Sequence, residues 1–133
     1  MMSAEENKRV IRSIFEAFGR GDIPGVLEFV AEDVTWDAPG PSVVPFYGRR
    51  RGHAGATEFF VQLGSKVEFE KFEPGEFIAE GDSVVVTGME RGRVKATGKT
   101  YEQDWVLIWK VRDGKVTSFH CYDETDAVAR AFS

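Results

Sequence analysis

Residues 101–125 hold two β-rich runs on either side of Arg112-Asp113-Gly114-Lys115. Asp-Gly between apolar runs is a hairpin signal, because the tight turn needs positive φ and glycine takes it without steric cost. In the first run Tyr101, Gln103, Trp105, Leu107 and Trp109 share one parity, so an extended strand sets them on one face. That face carries large rings, a leucine and one amide. Val106 and Ile108 point the other way. A strand apolar on both faces lies inside a sheet covered on two sides, by helices, by a second subunit or by both. The second run ends in Tyr122-Asp123-Glu124, where carboxylates arrive beside aromatic rings. Apolar surroundings disfavour a carboxylate's charge and suit it to acid or base work.

The remaining segments read as cover for this hairpin. Ser3-Ala4-Glu5-Glu6 is a capping box opening a helix, and Val10, Ile11, Ile14, Phe15 and Phe18 form its apolar stripe up to Gly19 and Gly21. Asp22 and Pro24 open a second helix with Val26, Leu27, Phe29 and Val30 on its buried side. Residues 34–38 make a short strand. Residues 39–48 hold three prolines and two glycines, so they form a long loop, and its Val43, Val44, Phe46 and Tyr47 suit a lid or a pocket wall. Gly52 starts a third helix carrying Ala56, Phe59, Phe60 and Leu63. Strands follow from Val67 to a turn at Glu80-Gly81-Asp82, and from Ser83 to Arg93, before the hairpin itself. A short helix from Asp126 to Phe132 finishes the chain. Tight turns between consecutive strands imply an antiparallel sheet, and helices placed mostly ahead of the strands imply α+β.

A length of 133 residues fits one domain, 1–133, with enough chain for a proper core. The net charge of −5 argues against nucleic acid as a partner, since phosphate binding needs a basic surface. Cys121 is the single cysteine, which fits a reducing compartment. Met1 to Arg9 has no apolar stretch of a secretory leader, and no run nears the roughly 20 apolar residues of a membrane span. Cytoplasmic localisation, with no membrane partner, is the expectation.

The rings of Phe15, Trp36, Phe59, Phe60, Trp105 and Trp109 can serve as core or as the lining of an apolar ligand site, with Phe18 the purest core member. Gln103 on the ring-bearing face needs a polar partner and is a candidate orienting group. Asp123 or Glu124 is the candidate acid or base; the competing role is a cap on the terminal helix. His120 shares the parity of Tyr122 and can shuttle protons. His53 and His120 are far apart, with no glutamate at ligand spacing, so no metal is expected. No nucleotide fingerprint follows a strand, so no cofactor is expected. Arg49-Arg50-Arg51 reads as a solvated basic patch.

Several of these segments together are diagnostic: Phe15-Glu16-Ala17-Phe18-Gly19-Arg20-Gly21-Asp22, Ala31-Glu32-Asp33-Val34-Thr35-Trp36, Tyr47-Gly48, Arg51-Gly52, Ala79-Glu80-Gly81-Asp82-Ser83, Trp105 to Trp109, and Tyr122-Asp123-Glu124-Thr125. On them the chain resembles the SnoaL-like and ketosteroid-isomerase-related branch of the nuclear-transport-factor-2-like superfamily. The resemblance implies a curved antiparallel sheet wrapped by three helices on its N-terminal side into a cone with an interior pocket. It also implies a homodimer through the outer sheet face. Relatives include polyketide cyclases, steroid isomerases and epoxide hydrolases. A cofactor-independent enzyme of isomerase, cyclase or hydrolase type is thus the first expectation. A binding module for a small apolar ligand, or a dimeric scaffold, is the alternative. The cyclase likeness puts an acid at Asp123 or Glu124. The pocket residues would be Phe15, Trp36, Tyr47, Phe59, Phe60, Tyr101, Gln103, Trp105, Leu107 and Trp109.

Overall fold

The computed structural model describes residues 3–133; Met1 and Met2, at the start of the stretch read for a leader, lie outside the described residues. Helix α1 (Ala4–Gly19) begins as its capping box dictates: the Glu6 N–H donates to Ser3 Oγ at 3.1 Å, and the Ser3 N–H donates back to Glu6 Oε1 at 3.1 Å. Its buried stripe is Val10, Ile11, Ile14 and Ala17. Helix α2 (Ile23–Leu27) is shorter than its apolar run suggests: Phe29 lies in a turn and Val30 already belongs to a strand. Strand β1 (Val30–Ala38), strand β2 (Gly48–Arg51), helix α3 (Gly52–Lys66), strands β3 (Val67–Glu80), β4 (Ser83–Val94), β5 (Thr100–Arg112) and β6 (Lys115–Asp123), and helix α4 (Thr125–Phe132) complete the chain. The basic triplet is therefore a strand, β2, paired antiparallel with β1.

The six strands form one curved, unclosed sheet in the order β2-β1-β6-β5-β4-β3. The α+β class and the chain of hairpins hold. One pairing departs from the antiparallel expectation: β1 runs parallel to β6, joining the first strand to the last. At the centre, Asp113 and Gly114 take φ of +51° and +77°, the positive values that a tight turn between right-twisted strands requires.

Pleating then sorts the residues. On β5, Tyr101, Gln103, Trp105, Leu107, Trp109 and Val111 are buried, while Val106 and Ile108 on the other face are half-buried. Cross-strand rows build the concave face: Phe119 of β6 lies opposite Trp109 of β5, which lies opposite Val84 of β4; the next rows run Cys121–Leu107–Val86 and Asp123–Trp105–Gly88. Helices α1 and α3 pack over this face, α1 against β3 and β4 and α3 against β1. Rings fill the space between. Trp36 stacks on Phe119 at 4.2 Å, and Phe119 meets Trp109 edge-on at 4.7 Å. Such pairs add about 0.5–1.5 kcal/mol each beyond the burial of their surface.

Candidate active site

Three glycines make room for the side chains that matter. A methyl group at Gly40 would come within 2.2 Å of the Tyr47 ring, one at Gly88 within 2.3 Å of the Trp105 indole, and one at Gly92 within 2.7 Å of the Tyr101 ring and hydroxyl. Each ring therefore packs against bare backbone where a side chain would clash.

Between the helices and the sheet is a cavity of about 80 Å³. Its walls include Phe15, Trp36, Tyr47, Phe59, Phe60, Trp105, Leu107 and Trp109, all named above, and also Phe18, Phe46, Phe72, Phe119 and Cys121. Two carboxyl groups reach this apolar space, Asp123 and Glu90. The adjacent pair is thereby separated. Asp123 follows the inward parity of Phe119 and Cys121. Glu124 is exposed at the start of α4, where its Oε2 accepts the Asp104 N–H at 2.7 Å. His120 has the opposite parity to Asp123. It stacks on Tyr122, which is 52% exposed, at 4.4 Å on the outer face, so it has no access to the cavity. Tyr101 and Gln103 do not touch the cavity. They stand behind it: the Tyr101 hydroxyl donates to Glu90 Oε2 at 2.7 Å, and Gln103 Oε1 accepts the Glu124 N–H at 2.9 Å.

Asp123 is held from two sides. The Tyr47 hydroxyl donates to its Oδ2 at 2.8 Å, and the Cys121 thiol donates to its Oδ1 at 3.1 Å. Burial, and then the Asp123 charge, push the Tyr47 hydroxyl well above the usual tyrosine range, so it donates throughout the neutral range. The same two causes raise the Cys121 thiol, which leaves it a donor and not a thiolate nucleophile. Glu90 is 8% exposed, and its carboxyl is pushed up to about 7, mainly by burial, with the Asp123 charge adding to the rise and the Tyr101 bond opposing it. At neutral pH it is a proton donor as readily as an acceptor.

The loop 39–47 forms the far wall. Arg50 ties it down: Nη1 donates to the Phe46 carbonyl at 2.8 Å, Nη2 to the Pro45 carbonyl at 3.2 Å, and Nε to Glu58 of α3 at 3.2 Å. Arg49 and Arg51 are exposed. His53 is likewise structural, with Nε2 at 2.7 Å from the Val30 carbonyl. The buried indole nitrogens of Trp36, Trp105 and Trp109 have no partner. A buried donor without a partner costs on the order of 1–3 kcal/mol, and here three such rings surround one cavity. No group of histidine, cysteine and carboxylate ligands able to hold a metal occurs among the described residues.

Glu90 is absent from the candidates read from sequence, because Met89-Glu90-Arg91-Gly92-Arg93 looks like a charged, solvated strand. The signal was parity: Val84 and Val86 point inward, so Glu90 does too, flanked on the same face by Gly88 and Gly92.

Comparison with known proteins agrees with this architecture. The sequence profile of the SnoaL-like domain matches residues 11–119. Among functionally curated proteins no significant match is found. An NTF2-like protein of Burkholderia xenovorans LB400 is 43% identical over 100% of both chains, with a TM-score of 0.92. TerC, crystallised with polyporic acid, is 31% identical over 96% of this chain and 98% of its own, with a TM-score of 0.85. A candidate polyketide cyclase from Xanthomonas campestris pv. campestris, 24% identical over 98% of both chains with a TM-score of 0.78, shares the fold. No helix among the described residues is long and apolar enough to cross a membrane. With its hairpin-centred sheet, its helical cover and a profile match across most of its length, the chain belongs to the SnoaL-like domain family.

Proposed function

We propose that the protein is a cofactor-independent enzyme that moves a proton on a hydrophobic, carbonyl-bearing small molecule. The observation that carries this reading is Asp123, a carboxylate held by two donors inside a cavity walled mostly by rings. Asp123 takes a proton from the carbon beside the carbonyl. The resulting enolate oxygen accepts a hydrogen bond from protonated Glu90 or from an unpaired indole N–H, in a site that excludes water and so strengthens that bond. Return of the proton to a different carbon gives an isomerase outcome, and attack of the enolate on a second carbonyl gives a cyclase outcome. TerC, crystallised with a small organic molecule, supports a ligand-holding role for this architecture. We place the enzyme in the cytoplasm, a reducing compartment that suits its single buried thiol. We also propose a homodimer through the outer sheet face, where Tyr122 and Ile78 are exposed beside half-buried Val106 and Ile108. Sedimentation that finds only monomer at micromolar concentration refutes the dimer.

Proton exchange tests the chemistry before any product is known. Steroid, terpenoid and polyketide ketones are incubated with the protein in D₂O, and deuterium uptake is followed by NMR. The wild type exchanges at least one of them, and Asp123→Asn slows that exchange by about 10²–10⁴-fold. Unchanged exchange in Asp123→Asn overturns the assignment. Ligand binding without any exchange makes the protein a binding module.

A further inference from the structure

The cavity shares a wall with a second space. An open apolar groove of about 690 Å³ runs along the end of α1, the turn at Gly19 and Gly21, α3 and β3. Phe15, Phe18, Phe60, Phe69 and Phe72 line both spaces and so stand between them. Phe18, expected to be pure core, is half-buried in this partition.

Phe72 sits where the backbone behind the partition is irregular. Its strand, β3, is the sheet's edge and pairs only with β4. The β3–β4 register breaks between Phe69 and Lys71 and again between Pro74 and Phe77, on either side of Phe72. The Phe72 ring has no polar anchor. It meets Trp105 and Phe18 at 5.3 Å, Phe69 at 5.8 Å and Phe15 at 5.9 Å, so its hold is apolar throughout. The opposite wall is fixed by contrast, because the Arg50 guanidinium holds loop 39–47 and Tyr47 is bonded to Asp123.

Size makes the partition matter. The cavity of about 80 Å³ is much the smaller of the two spaces, so together they offer a short inner end and a long outer one. A ligand too long for the cavity that extends past the shared rings joins the two spaces. Glu16 is the one charged residue along the groove, so an anionic tail is disfavoured there.

We propose that the groove is an outer subsite for the uncharged apolar portion of the substrate, with Phe72 as the ring that moves to admit it. The substrate is then a neutral ketone with an extended tail: its carbonyl end lies at Asp123 and its tail lies against Ile23 and Pro74. This rests on the proton-transfer reading only for which end faces inward.

Two measurements test it. All three tryptophans of the chain line the cavity, so their fluorescence reports that space alone. Acrylamide quenches them weakly in the wild type, several-fold more in Phe72→Ala and little more in Phe72→Leu, with far-UV circular dichroism confirming that each variant is folded. In the second measurement, acetophenone and its 4-ethyl, 4-butyl and 4-hexyl homologues are titrated into the wild type. Affinity rises with tail length, by up to about fourfold per methylene. Ile23→Ser weakens the hexyl homologue several-fold and leaves acetophenone unchanged. Quenching unaffected by Phe72→Ala but raised by Phe46→Ala puts the entrance under loop 39–47 and overturns the proposal, and so does affinity that does not grow with the tail, including no binding at all. Asp123→Asn that loses proton exchange yet keeps the tail dependence supports both readings. Asp123→Asn that keeps both breaks the catalytic reading alone.

Discussion

Two tyrosine–carboxyl pairs stand at this site, and they differ in almost everything except the bond. Tyr47 donates to Asp123 at 2.8 Å, and Tyr101 donates to Glu90 at 2.7 Å. Asp123 sits at the mouth of the last strand, half-buried, with a second donor in Cys121. Glu90 sits in mid-strand, buried, where desolvation outweighs its one strong bond and lifts its carboxyl to about 7. Two carboxyl groups in different surroundings thus line one cavity.

The widest contrast between the pairs is kinetic. Asp123→Asn removes the base and slows proton exchange by about 10²–10⁴-fold, whereas Glu90→Gln, whose amide still donates, retains measurable exchange in the same NMR assay. The next contrast is in stability. The native state keeps the Glu90 proton to a higher pH than the unfolded chain does. Its contribution is therefore unchanged below about 4.5, grows steadily more unfavourable as pH rises to about 7, and is constant above that. Wild-type stability, from urea unfolding at pH 5 and pH 8, falls by roughly 2–3 kcal/mol from this group, and Glu90→Gln removes that loss. A Glu90→Gln variant with the wild-type pH dependence breaks the comparison. Tyr101→Phe sharpens it: the lost donor destabilises the protein by about 1–3 kcal/mol above pH 7 and moves the Glu90 titration, read by carboxyl NMR, still higher. Glu124→Gln, outside both pairs, changes stability by less than about 0.5 kcal/mol and leaves exchange intact.

The two pairs were also unequally legible. Asp123 was visible because it ends a strand whose turn, Asp113-Gly114, and ring-bearing partner strand fix the register. Choosing it over Glu124 required the parity of Phe119 and Cys121, which is decisive only once β6 is known to lie flat on β5. Glu90 was hidden by its neighbours. Two arginines and a methionine around it suggest solvent, and the glycines that hold it a place look like strand breakers until Tyr101 and Trp105 are seen lying across them. Strand β2 was hidden for a related reason: three consecutive arginines carry no alternation, and only pairing with β1 makes them a strand. His120 failed for want of a face, since strand parity sends it outward.

The parallel joint between β1 and β6 has a consequence in time. Glu90 and Tyr101 are 11 positions apart and meet as soon as one local hairpin closes. Tyr47 and Asp123 are 76 positions apart, and the pairing that brings them together links Val30 to Val116. Local hairpins close in about 1–10 μs, whereas long-range strand pairing sets the slow rates of high-contact-order folds. The refolding chain therefore assembles its Glu90 pair early, as part of a meander, and its Asp123 pair only when its two distant strands meet.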